Sequence, residues 1–190
     1  MKKITFIFSL AFIFFGCNST NTHKNGYSGM IYDYENNPVS KAMFFLDSDY
    51  ITSTDCNGHF YIDDFTCRNL SGRKIIIKKD HYETISCNTE DFFSNPFVYM
   101  KIGSVSQLVK SLTEYLKKDD MEKSKLFLEK LKTSVKEKDE LNTYNYLSSI
   151  FYYKEENFPL AKEFLSLVAS QENEYVKKLE NLINEKCFQF

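Results

Sequence analysis

Two hydrophobic patterns divide the chain. Between residues 27 and 102, short apolar runs alternate with turn segments such as Asn36-Asn37-Pro38, which is typical of β-strands. From Ser104 onward, apolar residues recur every three or four positions, which indicates amphipathic helices. The pattern predicts an α+β chain of two domains: a seven-stranded antiparallel β-sandwich over residues 27–102 and a helical domain over residues 103–190.

The strand pattern separates a core face from an outer face. The predicted strands are Gly29–Asp33, Ala42–Leu46, Ile51–Thr54, His59–Ile62, Lys74–Lys78, Tyr82–Ser86 and Val98–Ile102. Because side chains alternate along a strand, we expect a core of Ala42, Phe44, Leu46, Phe60, Ile62, Ile75 and Ile77. The candidate binding surface on the outer faces is Tyr32, Phe45, Tyr61 and Tyr99. The alternative, and the more ordinary outcome, is that the helices or the second sheet cover these aromatic residues.

The helical half predicts about five helices arranged as a repeat of helical hairpins. Ser104 and Gln107 fit a capping box at its start, and Asn157 fits a cap before a helix with Pro159 in its first turn. The self-similarity appears at a shift of 37 residues, in the pairs Tyr115/Tyr152, Lys117/Lys154, Met121/Phe158, Ser124/Ala161, Phe127/Phe164, Leu128/Leu165 and Leu131/Val168. Such repeats stack into solenoids with a concave binding surface, where Asn142 and Asn145 are candidate contact residues. A plain helical bundle is the alternative.

The first residues fit an export signal. A basic start, Met1-Lys2-Lys3, precedes an apolar run over residues 4–15 that is too short to span a bilayer. Gly16-Cys17 resembles the bacterial lipobox, with Phe14 and Phe15 where that motif prefers leucine and a small residue. The resemblance implies removal of residues 1–16, a lipid on Cys17, and a spacer over residues 17–26. It also implies a bacterial cell-envelope location, at the outer membrane or cell surface rather than the inner membrane. The alternative is an ordinary secretory signal in which Cys17 is incidental.

The strand region resembles the carboxypeptidase regulatory-like domains. The resemblance lies in Gly29-Met30-Ile31-Tyr32-Asp33, in Ala42–Leu46, in the hairpin Thr54–Phe60 and in the closing strand Val98–Ile102, while His81-Tyr82 stands where that family often has Gly-Tyr. It implies a transthyretin-like β-sandwich that is an accessory, non-catalytic module.

The helical half resembles tetratricopeptide repeats. Its period of 37 is longer than the usual period of about 34. Ser148-Ser149 stands near the place of the Leu-Gly pair of that motif. This resemblance implies a surface for a protein partner.

The net charge and the absence of known catalytic motifs argue against several classes of function. The net charge is −2, and loss of Lys2 and Lys3 with the signal makes it more negative, which argues against a nucleic-acid partner. No phosphate-binding glycine loop, nucleophile elbow or zinc motif is present in the sequence. We therefore expect no enzyme activity, no cofactor and no metal. Cys67 and Cys87 are a candidate disulfide of an exported protein, and buried free thiols are the alternative.

These observations predict a membrane-anchored lipoprotein that is a non-catalytic protein-interaction or scaffolding module. Its expected partners are the membrane, through the lipid anchor, and another protein. The alternative is an accessory lipoprotein that binds a glycan or small ligand on the aromatic face of the β-sandwich, because exposed aromatic faces often mark binding sites.

Overall fold

The computed structural model describes residues 26–63, 72–95, 97–169 and 171–187. In these ranges the chain is α+β, with seven strands in two sheets and six helices. The strands are β1 (Gly26–Tyr32), β2 (Met43–Leu46), β3 (Asp49–Ser53), β4 (His59–Asp63), β5 (Lys74–Lys78), β6 (Ile85–Asn88) and β7 (Phe97–Lys101). The helices are α1 (Thr89–Phe92), α2 (Val105–Lys117), α3 (Met121–Ser134), α4 (Lys138–Lys154), α5 (Phe158–Ser166) and α6 (Glu174–Cys187).

The strands form a three-stranded sheet in the order β4-β1-β7 and a four-stranded sheet in the order β3-β2-β5-β6. The prediction of purely antiparallel pairing is wrong at one place, because β1 and β7 are parallel. The chain leaves the four-stranded sheet after β6, passes through α1, and enters the other sheet alongside β1. A parallel pair requires such a crossover, and no local sequence signal marks its direction.

Most predicted strands differ from the observed bounds by a few residues, but the sixth is displaced. It was expected at Tyr82–Ser86 and lies at Ile85–Asn88. Tyr82 forms only an isolated bridge with Ser104. Glu83 N donates a hydrogen bond to the Gly103 carbonyl at 2.9 Å. This segment is therefore bonded to the chain that leads into the helices rather than to a sheet.

Both sheets contribute to one hydrophobic cluster. All seven predicted core residues are buried, which confirms the alternation in the sequence. Phe44 and Phe60 come from different sheets, and their ring centroids lie 4.4 Å apart. Phe92, from the unpredicted helix α1, packs against both rings. The large apolar area removed from water here stabilises the strand half.

The turn between β3 and β4 forms as its sequence predicts. Asp55 Oδ1 accepts hydrogen bonds from Asn57 N at 2.8 Å and from His59 N at 2.9 Å. Gly58 has φ of +77°, a region that L-residues rarely adopt, and a Cβ there would lie 2.5 Å from the Ile31 carbonyl oxygen. Glycine is therefore required at this position for both its conformation and its size.

Local capping signals in the helical half are also confirmed. Ser104 and Gln107 form the capping box at α2. Asn157 accepts a hydrogen bond from Leu160 N at 3.3 Å at the start of α5, and Pro159 lies in the first turn. These side chains satisfy backbone N–H groups that have no partner within the helix.

The shift of 37 residues is a structural repeat. Helices α2 and α4 end at Lys117 and Lys154, and α3 and α5 begin at Met121 and Phe158. Between them, the corresponding residues Asp119 and Glu156 have φ of 54° and 58°. The following residues, Asp120 and Asn157, each cap the next helix and donate a backbone hydrogen bond to the carbonyl of Tyr115 or Tyr152. The two hairpins are therefore built in the same way, and α6 packs on the second.

A buried polar cluster joins the strand half to the helical half. Glu83, with 4% of its surface exposed, accepts hydrogen bonds from Gly103 N at 2.7 Å and from the Tyr34 hydroxyl. Lys130 Nζ, from α3, lies 3.0 Å from the Glu83 carboxylate and donates to the Tyr34 oxygen at 2.6 Å. Burial and the bond to Glu83 raise the pKa of Tyr34 to about 12. The phenol therefore remains a donor at neutral pH.

A second contact between the halves is exposed. His81, with φ of 63°, places Nδ1 2.6 Å from Glu140 Oε1 and Nε2 3.7 Å from Glu137 Oε1. Beside it, Asp80 pairs with Lys136. The hydrogen bond to Glu140, followed by the charges of Glu140 and Glu137, raises the pKa of His81 above its usual 6.5. The protonated imidazole therefore strengthens this contact.

Candidate functional site

A groove of about 610 Å³ lies along the helical half. Its walls come from α2, α4 and the start of α6, which are alternate helices along the chain. Successive hairpins therefore present equivalent helices to one surface, as in helical solenoids. The lining residues are Thr113, Lys117, Asn142, Thr143, Tyr146, Val168, Asn173, Tyr175 and Val176.

Two tyrosines line the groove. Tyr175 is 71% exposed at the start of α6, and Tyr146 is half-buried on α4. Burial, with a smaller contribution from Tyr175, raises the pKa of Tyr146. A neutral phenol offers both an apolar ring and a hydrogen-bonding hydroxyl, which is why tyrosine is frequent at interfaces. Among the described lining residues, Lys117 is the only one that carries a charge at neutral pH.

Of the two predicted asparagines, only Asn142 lines this groove. Its Oδ1 accepts a hydrogen bond from Ala169 N at 2.6 Å. Asn145 is only 6% exposed, and its amide donates to the Leu167 carbonyl at 3.4 Å. The expectation that Asn145 is a surface contact residue is therefore wrong. It fixes the segment after α5, because a buried amide requires a partner.

The outer face of the three-stranded sheet carries an aromatic surface. Tyr32 and Tyr99 stack with ring centroids 5.2 Å apart and planes 24° apart. Tyr61 and Phe97 lie opposite Ser28 on its two sides, which places all four aromatic residues on one face. We call Tyr32, Tyr61, Phe97 and Tyr99 the aromatic face.

The aromatic face is open. Phe97 is 52% exposed, Tyr99 55% and Tyr61 37%. The expectation that helices or the second sheet cover these side chains is therefore wrong for Tyr61 and Tyr99. The helical half instead contacts the strand half through segments outside this face, at Tyr34, Glu83 and His81.

Phe45 does not belong to the aromatic face, although the sequence grouped it with Tyr32, Tyr61 and Tyr99. It lies on β2 in the four-stranded sheet. Its ring contacts Tyr50 edge-on at 6.0 Å, and Lys78 Nζ lies 5.5 Å from its centroid. The predicted aromatic set therefore divides between two surfaces, because alternation along a strand does not say which sheet the strand joins.

The predicted cysteine sites fall largely outside the described residues. Cys17 and Cys67 both lie there, and with them the lipidation site and one half of the predicted disulfide. Cys87 lies on β6, where burial raises the pKa of its thiol and Sγ is 3.9 Å from the Ile75 carbonyl. Cys56 and Cys187 are exposed free thiols.

The described ranges contain neither a metal-binding group nor a membrane-spanning helix. No group of three histidine, cysteine or acidic side chains in them is arranged to hold a metal ion. None of the helices in them is both long and apolar enough to cross a bilayer.

The sequence did not predict three residues of these surfaces: Phe97 of the aromatic face, and Tyr146 and Tyr175 of the groove. Phe97 lies just before the last predicted strand, Val98–Ile102, although its period-two relation to Tyr99 indicates the same face. Tyr146 and Tyr175 form one groove only because α4 and α6 are neighbours in space. No local pattern carries that information.

Comparison with protein families, with curated proteins and with solved structures gave no match to this chain. The geometry by itself defines an α+β protein whose open surfaces include a tyrosine-lined groove between helices and an aromatic sheet face.

Proposed function

We propose that this protein is a lipid-anchored, non-catalytic interaction module of the bacterial cell envelope. In this proposal Cys17 carries the lipid and residues 17–26 form the spacer. Residues 27–102 form a carboxypeptidase regulatory-like β-sandwich domain, and residues 103–190 form a tetratricopeptide-like domain. The helical groove binds an extended segment of a partner protein.

The observation that carries the proposal is the groove between α2, α4 and α6. Its equivalent helices come from successive hairpins, and it ends in a tyrosine that is 71% exposed. An exposed aromatic side chain beside a concave surface is a common anchor for a protein partner. Because Lys117 is its one charged lining residue among those described, the groove favours a partner segment of apolar and polar residues.

The domain arrangement is supported by packing. Phe44 and Phe60, from the two sheets, meet in one hydrophobic cluster, as in a β-sandwich. The helical half has hydrophobic clusters of its own. Separate cores are what two domains require. The two halves are linked by the polar cluster around Glu83 and by the exposed contact of His81 with Glu140.

The test is affinity capture with the intact, membrane-anchored protein, followed by a binding measurement with the captured partner. Tyr175→Ala should weaken that binding by about tenfold or more, as for an interface anchor. Leu126→Ala, which removes an apolar side chain that is 54% exposed on α3 and does not line the groove, is the control and should leave it unchanged. Equal binding by wild type and Tyr175→Ala would exclude the groove as the docking surface.

The aromatic face favours a second candidate function, the binding of a glycan or small ligand. The stacked pair Tyr32–Tyr99 offers a flat apolar surface, and Phe97 extends it. Flat aromatic surfaces suit the apolar faces of sugar rings. Binding to a glycan panel that is lost in Tyr99→Ala and kept in Tyr175→Ala would support this function. The reverse pattern with a protein partner would support the groove.

A further inference from the structure

The outer face of the four-stranded sheet combines apolar side chains with lysines. Tyr50, Phe45 and Ile76 lie side by side in one row across β3, β2 and β5. Met43 lies in the next row, directly opposite Lys78. Around them are further lysines. We call this surface, made of Lys41, Met43, Phe45, Tyr50, Lys74, Ile76, Lys78 and Lys79, the lysine-rimmed face.

The apolar part of the lysine-rimmed face is accessible. Tyr50 is 59% exposed and Met43 is 37% exposed. At one edge, a shallow cavity of about 610 Å³ is lined by Lys41, Met43, Tyr50, Ser53, Lys79 and Asp80. The face is therefore an open sheet surface with a recess beside two lysines.

The charge of this face is positive, although the whole chain has a net charge of −2. Other basic residues offset most of the charge of the neighbouring carboxylates. Asp47 and Asp49 share Arg73 at 2.8 and 3.4 Å, which leaves one negative charge on that group, and Asp80 pairs with Lys136. The four lysines of this face outnumber that remaining charge. Within the described residues, no ion pair joins a carboxylate to any of the four lysines of the rim.

Lysine heads are held at the edge of the apolar centre. Lys78 Nζ lies 5.5 Å from the Phe45 ring, and Lys79 Nζ donates to the Ser40 carbonyl at 2.8 Å. The Lys78 ammonium group therefore lies over the aromatic ring itself, as in a cation–π contact, and the Lys79 ammonium group is held at a backbone carbonyl beside the face. Exposed tyrosine and methionine surrounded by ammonium groups match a layer in which anionic headgroups lie next to acyl chains.

We propose that the lysine-rimmed face lies on an anionic phospholipid surface, with Tyr50 and Met43 at the depth of the headgroups. The inference rests on the proposed lipid at Cys17. The part of the spacer that precedes β1, residues 17–25, can extend to about 30 Å at most, so the strand half stays close to the bilayer. Because the anchor keeps the lysine-rimmed face near the headgroups, the local concentration of anionic lipid at this face is high. Lipid is therefore favoured over a freely diffusing acidic protein as the occupant of this face.

The sequence offers a direct reporter, because the chain contains no tryptophan. Tyr50→Trp in the intact acylated protein places a single tryptophan on the lysine-rimmed face. It is reconstituted into vesicles of phosphatidylcholine alone or with phosphatidylglycerol, each with some lipid brominated near the headgroup. We expect blue-shifted emission and quenching that increase when phosphatidylglycerol is present and decrease at high salt.

Matched variants separate this face from the others. Tyr99→Trp, on the aromatic face and 55% exposed in the wild type, should show little quenching in either vesicle. Lys41→Gln with Lys78→Gln should reduce the fraction of Tyr50→Trp in contact with anionic vesicles by about fivefold for each lysine. Lys125→Gln with Lys132→Gln, at exposed positions on α3 of the helical half, should leave that fraction unchanged.

Three outcomes would overturn the proposal. One is Tyr50→Trp emission that is the same in both vesicles, because contact of this face with the vesicle would then not depend on lipid charge. Another is quenching of Tyr99→Trp in place of Tyr50→Trp. The third is a shift of Tyr50→Trp with polyglutamate but not with vesicles, which would identify an acidic polypeptide as the occupant. The mass of the N-terminal peptide reports acylation of Cys17 separately, so failure of the anchor is distinguished from failure of the face.

Discussion

Ser124 and Ala161 occupy equivalent positions in the two helical hairpins, and both are completely buried. They lie at the same place in α3 and α5, 37 residues apart. The Ser124 hydroxyl oxygen has no hydrogen-bond partner within the described part of the chain. At Ala161 the same space holds only a methyl group. Comparison of the two hairpins therefore shows that the packing at this position does not require the Ser124 hydroxyl group.

Ser124→Ala should stabilise the protein by about 1 kcal/mol, because it removes a buried hydroxyl without a partner. The free energy of unfolding in urea measures the effect. A loss of stability would show that the hydroxyl is bonded in solution, which would contradict its place in the repeat.

Leucine at either position should destabilise the protein by about 1–3 kcal/mol, because the close contact between paired helices has no room for it. Ser124→Leu and Ala161→Leu should have similar effects on thermal unfolding. Leu126→Ala, at a residue that is 54% exposed on α3, is the control and should change stability little. An unchanged melting temperature in both leucine variants would refute the equivalence.

Gly58→Ala should destabilise the protein more than Gly72→Ala. Both glycines have φ of +77°, so both variants carry the conformational cost of about 1–2 kcal/mol. A Cβ at Gly58 would also lie 2.5 Å from the Ile31 carbonyl oxygen, whereas no described atom lies within 4 Å of a Cβ at Gly72. Urea midpoints compare the two. Equal losses would mean that the β3–β4 turn relaxes without cost.

Lys130→Met should destabilise the protein by about 3 kcal/mol, because it leaves the Glu83 carboxylate buried without its cation. Adding Glu83→Gln should restore part of the loss, since a neutral amide can still accept from Gly103 N and Tyr34. A double-mutant cycle of unfolding free energies measures the coupling. Additive effects would show that the charge pair does not hold the two halves together.

The contribution of His81 to stability should decrease as pH rises. Its pKa in the folded protein is raised above 6.5 by Glu140, with help from Glu137 and Asp80. The stabilisation is therefore fully present below pH 6.5 and is lost as pH rises through the folded pKa. His81→Asn is the suitable variant, because asparagine tolerates the φ of 63°. The stability difference from wild type should narrow across that range; a constant difference would exclude the imidazolium pair.

Cys17→Ser should release the protein from membranes if Cys17 carries the lipid. Cell fractionation and the mass of the N-terminal peptide measure the result. Substitution of the exposed Cys56 by serine is the control and should leave the fractionation unchanged. Membrane association that persists in Cys17→Ser, with a mature N-terminus at another residue, would contradict the lipoprotein proposal.

Features that depend on neighbouring residues were predictable. The Asp55–Gly58 turn, the Ser104–Gln107 capping box and the Asn157 cap are hydrogen bonds over a few positions. The alternation that buries Phe44 and Phe60 follows from strand geometry. The repeat was predictable because the same local design occurs twice.

Features that depend on which elements meet in space required the tertiary structure. The sequence by itself determined most of the strands, the turn before β4, the capped helices and the repeated hairpins, because their signals lie within a few residues. The exceptions are β6, which is displaced, and α1, which no pattern predicted. Only the tertiary structure decided that β7 runs parallel to β1, that Phe45 and Tyr99 face different surfaces, and that Asn145 is buried. It also decided that Glu83 meets Lys130, 47 positions away. Such contacts depend on the chain's path between elements, because side chains distant in sequence pair only where packing brings them together.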